Sequence, residues 1–194
     1  MFIAENLEFA HHAIDQEKID NIGKLINAFS DACDNCSSVM KDSINNNLLI
    51  QFDGLFEKTE IDKIDISKWN TTYVESMYRM FESSKVEEIV FGKLNIENVW
   101  YMKAMFKDCR NLRKVDISNL DTTNAYRMEY MFNGCTNIED QEITLNVSSV
   151  EYMYEAFTNS SIRKANLVNA NKILKKRDKY YFNSNGDTEI VFVD

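Results

Sequence analysis

The pattern of apolar positions along this chain repeats every 25 or 26 residues. The phrase V-x-x-M-x-x-M-F, seen in full at Val74–Phe81, returns with small variations so that its last residue is Phe106, Phe132 and Phe157. A degenerate copy, Leu49–Phe56, precedes the first full one. Self-similarity at a period in the twenties is typical of leucine-rich-repeat solenoids. The chain is therefore predicted to be a repeat protein.

A second apolar pattern, L-x-x-L-x-L-x-x-L, follows the Phe of each unit. Its copies begin at Ile61, Val86, Leu112, Ile138 and Ile162. In the fourth copy polar Gln141 takes a core position, and the copy is one residue shorter before Leu145. The alternating pair in its middle has the period of a strand, whereas V-x-x-M-x-x-M-F has the spacing of one helical face. Each unit is predicted to be a strand followed by a short helix, and stacked neighbours bury the apolar sides of both.

A polar residue recurs in step with the repeat, after each predicted strand. Its copies are Asn70, Asn95, Asp121, Asn146 and Asn171. Such a side chain can hydrogen-bond the backbone of the turn leaving the strand, whose amides would otherwise lack partners. We interpret these residues as a structural ladder of turns.

Both ends of the repeat region are predicted to carry caps. Apolar residues in Asp20–Cys33 fall on one face of an amphipathic helix, and Met1–Ala13 is predicted to form an earlier helix. Lys179–Phe182 and Glu189–Val193 flank the turn Asn183–Asp187, which predicts a β-hairpin that pairs with the last repeat strand.

The predicted fold is an α/β solenoid of leucine-rich-repeat type with about five strand–helix repeats. An N-terminal helical cap, the solenoid and a C-terminal β-hairpin cap are expected to form one cooperative domain, at residues 1–45, 46–172 and 173–194.

Residues 115–135 resemble the BspA-type leucine-rich repeat. They read VDISNLDTTNAYRMEYMFNGC, similar to that family's typical unit LDLSNFDTSNVTDMSYMFYGC, and the resemblance extends over about Leu49 to Asn171. The family occurs in mycoplasma lipoproteins and in many bacterial and protozoan surface proteins. The resemblance implies a curved solenoid used for binding, often for adhesion, with no catalytic residues to transfer.

Composition narrows the classes of partner. The 194 residues are 44% apolar, contain no Pro and carry a net charge of −9. That charge argues against direct binding of nucleic acid or of an anionic membrane, because phosphate contacts require Lys and Arg. The first residues lack both a basic start and a long apolar run, so neither a signal peptide nor a membrane span is expected. We expect a cytoplasmic protein.

Motifs for catalysis or for a cofactor are not found. The five Gly are too scattered for a phosphate-binding loop, and neither G-x-S-x-G nor H-E-x-x-H occurs. Cys33-x-x-Cys36 has the spacing of half a zinc site, with His11 and His12 as the only histidines. We favour a structural or incidental pair, and therefore predict no metal, no cofactor and no enzyme activity.

Cys109 and Cys135 occupy the same position of consecutive repeats. We interpret them as buried small apolar residues, and leave open a disulfide between adjacent repeats. Seven of the nine Met lie in the repeated phrase between Met77 and Met153, where they are predicted to fill the core.

Two surfaces are candidates for binding a partner. Residues that alternate with the buried strand pair form the first, an electronegative concave face that suits a partner with a basic surface. Its candidate residues are Asp65, Ser67, Val90, Asp116, Ser118, Glu142, Thr144 and Asn166. The second is the predicted helical side, where Tyr is the kind of residue that interfaces favour. Its candidate residues are Tyr78, Arg79, Tyr101, Tyr126, Tyr130, Tyr152 and Tyr154.

Three functions remain open. The first is a non-catalytic module that binds a protein through one face of the repeats. The alternative is a small acidic cytoplasmic inhibitor, of the kind encoded by phages and mobile elements, whose carboxylates mimic phosphates and block a nucleic-acid-handling protein. A metal protein or enzyme built on Cys33, Cys36, His11 and His12 is the third. The partner, the binding face and the oligomeric state are left undetermined by the sequence.

Overall fold

A computed structural model describes residues 15–34, 50–139 and 142–194 of the chain. The earlier helix predicted over Met1–Ala13 lies outside these residues, as do His11, His12 and Cys36. The elements are α1 (Gln16–Asp34), β1 (Ile50–Gln51), β2 (Lys63–Asp65), β3 (Val74–Ser76), β4 (Glu88–Val90), β5 (Lys114–Val115), β6 (Glu142–Asn146), β7 (Lys164–Val168), a 3-10 turn (Leu174–Lys176), α2 (Lys179–Phe182) and β8 (Glu189–Val193).

The strands stack in two rows to form a β-solenoid of about five turns. Row A pairs β1 with β3 and continues through parallel bridges from Ser76 to Tyr101, Arg127 and Tyr152. Row B contains two parallel sheets, with strand orders β2-β4-β5 and β6-β7-β8. The solenoid predicted from the 25-residue period is confirmed.

The units are not strand–helix repeats, and the predicted leucine-rich-repeat helices were wrong. Segments 74–81, 99–106, 125–132 and 150–157 form strands, bridges and turns instead. In the second turn of the solenoid, the amides of Met77, Arg79 and Phe81 donate to carbonyls of the next turn, at 2.9, 3.1 and 2.9 Å. The amides between them close turns within the same segment, as in Met80 N–H to the Met77 carbonyl at 3.3 Å. Successive amides thus alternate between bonds to the next turn and bonds within the segment. The backbone hydrogen-bonding groups are therefore satisfied without a helix.

Backbone dihedral angles show why this segment is not helical. The third residue of each M-x-x-M-F phrase has a positive φ, which a right-handed helix excludes. These residues are Gly54, Arg79, Ala104, Tyr130 and Glu155, with φ between 53° and 63°. A second positive φ follows two residues after the Phe, at Lys58, Ser83, Asp108, Gly134 and Asn159. Two left-handed residues in each turn bend the chain around the core.

A ladder of Phe rings runs through the core along the solenoid axis. Phe56, Phe81, Phe106, Phe132 and Phe157 are fully buried. Successive ring centroids lie 5.3, 5.6, 5.0 and 6.4 Å apart with nearly parallel planes. The buried Met side chains of the repeated phrase pack beside them, as predicted.

The C-terminal segment is a further turn of the solenoid, and the predicted β-hairpin was wrong. Lys179–Phe182 is helical, and β8 pairs with β7 in parallel, so that Ala165 lies opposite Ile190 and Leu167 opposite Phe192. The Phe157 amide donates to the Phe182 carbonyl at 3.0 Å, and Phe182 is fully buried. Phe182 therefore occupies the next position of the Phe ladder, 25 residues after Phe157. The expectation that Glu189–Val193 pairs with the last repeat strand was correct.

The amphipathic helix predicted over Asp20–Cys33 is confirmed within α1. Ile19, Ile22 and Ile26 on its inner face join the hydrophobic core. The Gln16 side-chain amide donates to the Asp65 carbonyl at 3.2 Å and accepts from the Asp65 amide at 3.4 Å. A helix side chain thus satisfies the backbone at the edge of β2, which would otherwise be open. The division into residues 1–45, 46–172 and 173–194 stays a prediction.

The polar ladder is confirmed on all five levels. The side-chain oxygen of each residue accepts the amide two positions later, at 3.1, 3.1, 3.0, 3.1 and 2.9 Å in chain order. These residues hold the turn that leaves row B for row A.

Cys109 and Cys135 are free, buried thiols, so the disulfide that the sequence left open is not formed. Their sulfur atoms donate to the carbonyls of Phe81 and Phe106, each at 2.9 Å. Burial raises the pKa of Cys109 to about 12 and also raises that of Cys135. Both thiols serve as internal hydrogen-bond donors of the core.

Candidate functional site

The outward side chains of row B form the strand face, and its register differs from that expected. Thr144 pairs with Asn166 in the structure, and Glu142 pairs with Lys164. The apolar pattern placed Glu142 between inward Gln141 and Ile143, at the position that Asp65 and Asp116 hold in their repeats. Thr144 holds that position in the structure, so the alignment was wrong by two residues. The step from Ile138 to Ile143 is two residues longer than the step from Leu112 to Val115, and the shortening predicted before Leu145 concealed this difference.

Charges on the strand face are largely paired with one another. Lys63 Nζ lies 2.7 Å from Glu88 Oε1, and Lys164 Nζ lies 2.9 Å from Glu142 Oε1. The hydrogen bond from Lys63 lowers the pKa of Glu88, and those from Asn166 and Lys164 lower the pKa of Glu142. Side chains of opposite charge thus face each other on neighbouring strands, so these positions do not form an electronegative strip.

The remaining strand-face candidates take part in turns or lie apart. Asp65 and Asp116 accept the amides of Ser67 and Ser118, at 3.0 and 2.9 Å. Val90 lies beside Asp65 in the sheet, and its apolar side chain separates the two carboxylates. Two rungs of a sheet span about 10 Å, a distance at which physiological salt already screens the repulsion.

The second candidate surface is built on row A rather than on helices. Tyr101 and Tyr152 flank Arg127 on consecutive rungs, and Tyr78 stacks on Tyr101 with ring centroids 5.3 Å apart. Tyr126 contacts Tyr152 edge to face at 5.5 Å. We call Tyr78, Trp100, Tyr101, Tyr126, Arg127 and Tyr152 the aromatic face. The structure thus brings four of the seven predicted residues of this side together: Tyr78, Tyr101, Tyr126 and Tyr152.

Tyr130 and Tyr154 form a neighbouring pair, with centroids 5.0 Å apart. Tyr154 also contacts Tyr181 at 6.3 Å, so this pair leads toward the last turn of the solenoid. Arg79 packs over its neighbour Tyr78 at 4.9 Å, and its Nε lies 2.9 Å from Glu82 Oε2. Tyr130, Tyr154 and Arg79 are thus packed against other residues of this chain.

Arg127 is at the centre of the aromatic face. Its guanidinium carbon lies 5.5 Å from the Tyr101 ring centroid and 5.1 Å from that of Tyr152. Beneath it the carboxylate of Glu129 is fully buried, and Glu129 Oε1 accepts hydrogen bonds from Arg127 Nε, at 2.9 Å, and Nη2. The other oxygen, Oε2, is buried without a hydrogen-bond partner. The guanidinium is held by two rings and one carboxylate at once, an arrangement that its planar shape allows.

Sequence reasoning missed two residues of this face, Arg127 and Trp100. The Trp100 ring stacks on Tyr101 at 5.1 Å and is 44% exposed, while Tyr152 is 41% exposed. The signal in the sequence is that the equivalent positions of the other turns are Glu75, Tyr126 and Glu151, outward positions where a Trp is not needed for the core. The Tyr126 hydroxyl donates to Glu151 Oε2 at 2.9 Å, and this hydrogen bond raises the pKa of Tyr126 to about 12.

Within residues 15–34, 50–139 and 142–194, no three His, Cys, Asp or Glu side chains converge in a way that would hold a metal ion. The pair Cys33 and Cys36, for which a structural or incidental role was expected, lies outside the side chains that the structure describes.

A family model described as "Mycoplasma protein of unknown function, DUF285" matches residues 1–88 and, in an overlapping second match, residues 50–171. Comparison with the curated proteins and with the solved structures gives no match. In the part of the chain that the structure describes, no helix has the length and apolar content needed to cross a bilayer.

Proposed function

The chain belongs to the family of mycoplasma proteins described as DUF285, and we propose that it is a non-catalytic module that binds a protein partner through the aromatic face. The observation that carries this proposal is the exposure of Trp100 and Tyr152 beside the clamped Arg127. Trp, Tyr and Arg are the residue types that contribute most to binding energy at protein interfaces. A rigid β-solenoid presents them without the entropic cost of ordering a loop.

The aromatic face is a better candidate than the strand face for a physical reason. Strand-face charges such as Lys63 with Glu88 and Lys164 with Glu142 already neutralise each other at 2.7 and 2.9 Å. A partner that binds these charges would first have to break the existing ion pairs. Large rings with exposed faces lose water on binding and need no such exchange.

The finer identity of the module belongs to this proposal. The resemblance to the BspA-type repeat supports a role in adhesion or in contact with another cell's proteins. The acidic-inhibitor alternative stays a prediction, and the pairing of charges on the strand face gives it less support. Cytoplasmic localisation and a partner with a basic surface are likewise predictions.

Affinity capture with three matched baits tests which face binds. The baits are the full chain, an aromatic-face variant with Trp100→Ala and Tyr152→Ala, and a strand-face variant with Asp65→Lys, Asp116→Lys and Glu142→Lys. Circular dichroism and thermal unfolding establish that each bait is folded. We expect a protein that is retained by the full chain and by the strand-face variant but lost with the aromatic-face variant. Loss with the strand-face variant alone would overturn the choice of face and favour the acidic inhibitor.

A further inference from the structure

We propose that Trp100, together with Glu75, is a docking site for an arginine side chain of the partner. This inference rests on the proposed function and specifies its chemistry. The guanidinium of the partner would stack on the exposed face of the Trp100 ring and pair with the Glu75 carboxylate.

The first argument is the order of residues along one edge of row A. Glu75, Trp100, Tyr126 and Glu151 stand on four consecutive turns. They are joined through backbone hydrogen bonds of 3.1, 2.8 and 3.1 Å. Adjacent rungs of a sheet are about 4.8 Å apart, so a carboxylate on the next rung lies within reach of a group stacked on a ring. Two aromatic rings are thus bounded by a carboxylate on each side, which suits a cation.

The second argument is that the chain already binds its own guanidinium groups in this way. Arg127 lies between Tyr101 and Tyr152 and pairs with Glu129. Arg79 lies over Tyr78 and pairs with Glu82. Each of these arginines contacts both an aromatic ring and a carboxylate. Trp100 and Glu75 offer the same pair of groups to an arginine of the partner.

The third argument is that, within the described residues, Trp100 and Glu75 do not bind a cationic side chain of this chain. Among the residues that the structure describes, no Lys or Arg lies over the Trp100 ring, and Glu75 forms no ion pair. Glu75 Oε1 accepts one long hydrogen bond, from Gln51 Nε2 at 3.4 Å. Of the aromatic side chains, Trp attracts cations most strongly. Arg fits better than Lys because its planar guanidinium can stack on the ring and bond a carboxylate at the same time.

Indole resonances in NMR provide a direct test with a defined probe. The chain has two Trp, of which Trp69 is buried, so two indole signals are expected and Trp100→Phe assigns them. Blocked tri-arginine, tri-lysine and tri-glutamate peptides are titrated at low salt. We expect tri-arginine to shift the Trp100 signal and to bind at least threefold more tightly than tri-lysine, while tri-glutamate has no effect.

Matched variants separate this site from general attraction to an acidic protein. Glu75→Gln is expected to weaken tri-arginine binding at least threefold. Glu87→Gln removes the same charge at an exposed position immediately before β4 and is expected to leave the affinity unchanged. Equal binding of tri-lysine and tri-arginine, or equal effects of the two substitutions, would overturn the arginine site.

The two proposals fail in distinguishable ways. A partner that depends on the aromatic face, combined with an unmoved Trp100 signal in tri-arginine, overturns the arginine site and leaves the proposed function standing. Conversely, tri-arginine binding at Trp100 without any captured protein that depends on the aromatic face overturns the proposed function.

Discussion

At the scale of single residues, the buried carboxylate of Glu129 makes the aromatic face rigid. Among the described residues, Arg127 supplies the cation that pairs with it, and that guanidinium is in turn fixed by the rings of Tyr101 and Tyr152. Side chains held from three directions lose little further freedom when a partner binds. The same arrangement makes the face sensitive to the loss of one cation.

Replacing Arg127 by Ala is expected to destabilise the protein by about 2 to 3 kcal/mol. Removing one partner of a fully buried pair costs about 3 to 5 kcal/mol, and the 32% exposure of the Arg127 side chain reduces this value. Urea unfolding measures the loss. In a Glu129→Gln background the same Arg127→Ala substitution is expected to cost less than half as much. Equal costs in both backgrounds would show that the ion pair is not the reason.

The thiols of Cys109 and Cys135 are expected to be inert while the protein is folded. With the pKa of Cys109 raised to about 12, roughly one thiol in ten thousand is ionised at pH 8, and the thiolate is the reactive form. In a variant with Cys33→Ser and Cys36→Ser, a thiol reagent should label no thiol from pH 7 to pH 10. In urea the same variant should be labelled twice, and rapid labelling without urea would contradict the assigned burial.

At the scale of elements, the spacing of apolar residues was interpreted correctly as one-sided burial but wrongly as helix. A string of three-residue turns also directs every third or fourth side chain inward, as a helix does, so the spacing does not separate the two. Residues that favour a positive φ carry the missing signal: Gly54 at the first left-handed position of the repeat, and Gly134 and Asn159 at the second. Elsewhere the same positions hold Arg79 or Ala104, which hides the pattern in a single sequence.

Register on the strand face was not predictable for a different reason. Shifting a strand by two residues preserves its alternation, so alternation alone allows two alignments of β6, and polar Gln141 at a core position was the one sign against the expected alignment. Only the pairing of Ile143 with Ala165 decides between them. The turn ladder from Asn70 to Asn171, by contrast, was predictable because the amide two residues later is a local partner.

Gly23 in α1 is expected to be essential for docking the helix on the first turn. A Cβ added there would lie 2.3 Å from Trp69 Nε1, too close for any real contact. Gly23→Ala should therefore release α1 even though Ala favours a helix by about 1 kcal/mol. Trp69 fluorescence, measured in a Trp100→Phe background, should shift to longer wavelength. Asn21→Ala, at an exposed position of α1, serves as the control. An unchanged spectrum in Gly23→Ala would contradict the close packing of Gly23 against Trp69.

At the scale of the whole molecule, the repeat extends further than its sequence signature. Phe182 keeps the 25-residue step, but the Met residues and the Val of the phrase are missing before it, so the last copy was interpreted as a hairpin. Its parallel strand β8 shows that stacking on the preceding turn outweighed the local turn signal in Asn183–Asp187. Of the binding surface, the Tyr residues were predictable from their outward positions. Trp100 was overlooked although Glu75, Tyr126 and Glu151 mark its position as outward, because a large apolar ring suits a core position equally well.

Phe182→Ala is expected to cost about 3 kcal/mol of unfolding free energy, near the lower end for a buried Phe, because Phe182 ends the ladder and its ring contacts Tyr181 and Phe192 rather than ladder rings on both sides. Phe106→Ala, between Phe81 and Phe132, should cost about 5 kcal/mol. Tyr180→Ala, at a mostly exposed position of α2, should change the stability by less than about 0.5 kcal/mol. Urea unfolding of the three variants checks this order, and a negligible effect of Phe182→Ala would contradict the additional turn.

The alternation of amides between turns has a mechanical consequence. Bonds such as Met77 N–H to the Tyr101 carbonyl run along the solenoid axis and tie each turn only to its neighbours. Tension applied at the two ends therefore loads one interface at a time rather than the whole core. Each turn that peels away releases about 80 Å of extended chain. Pulled from its ends, the solenoid is expected to unfold one turn at a time, in steps of about equal length.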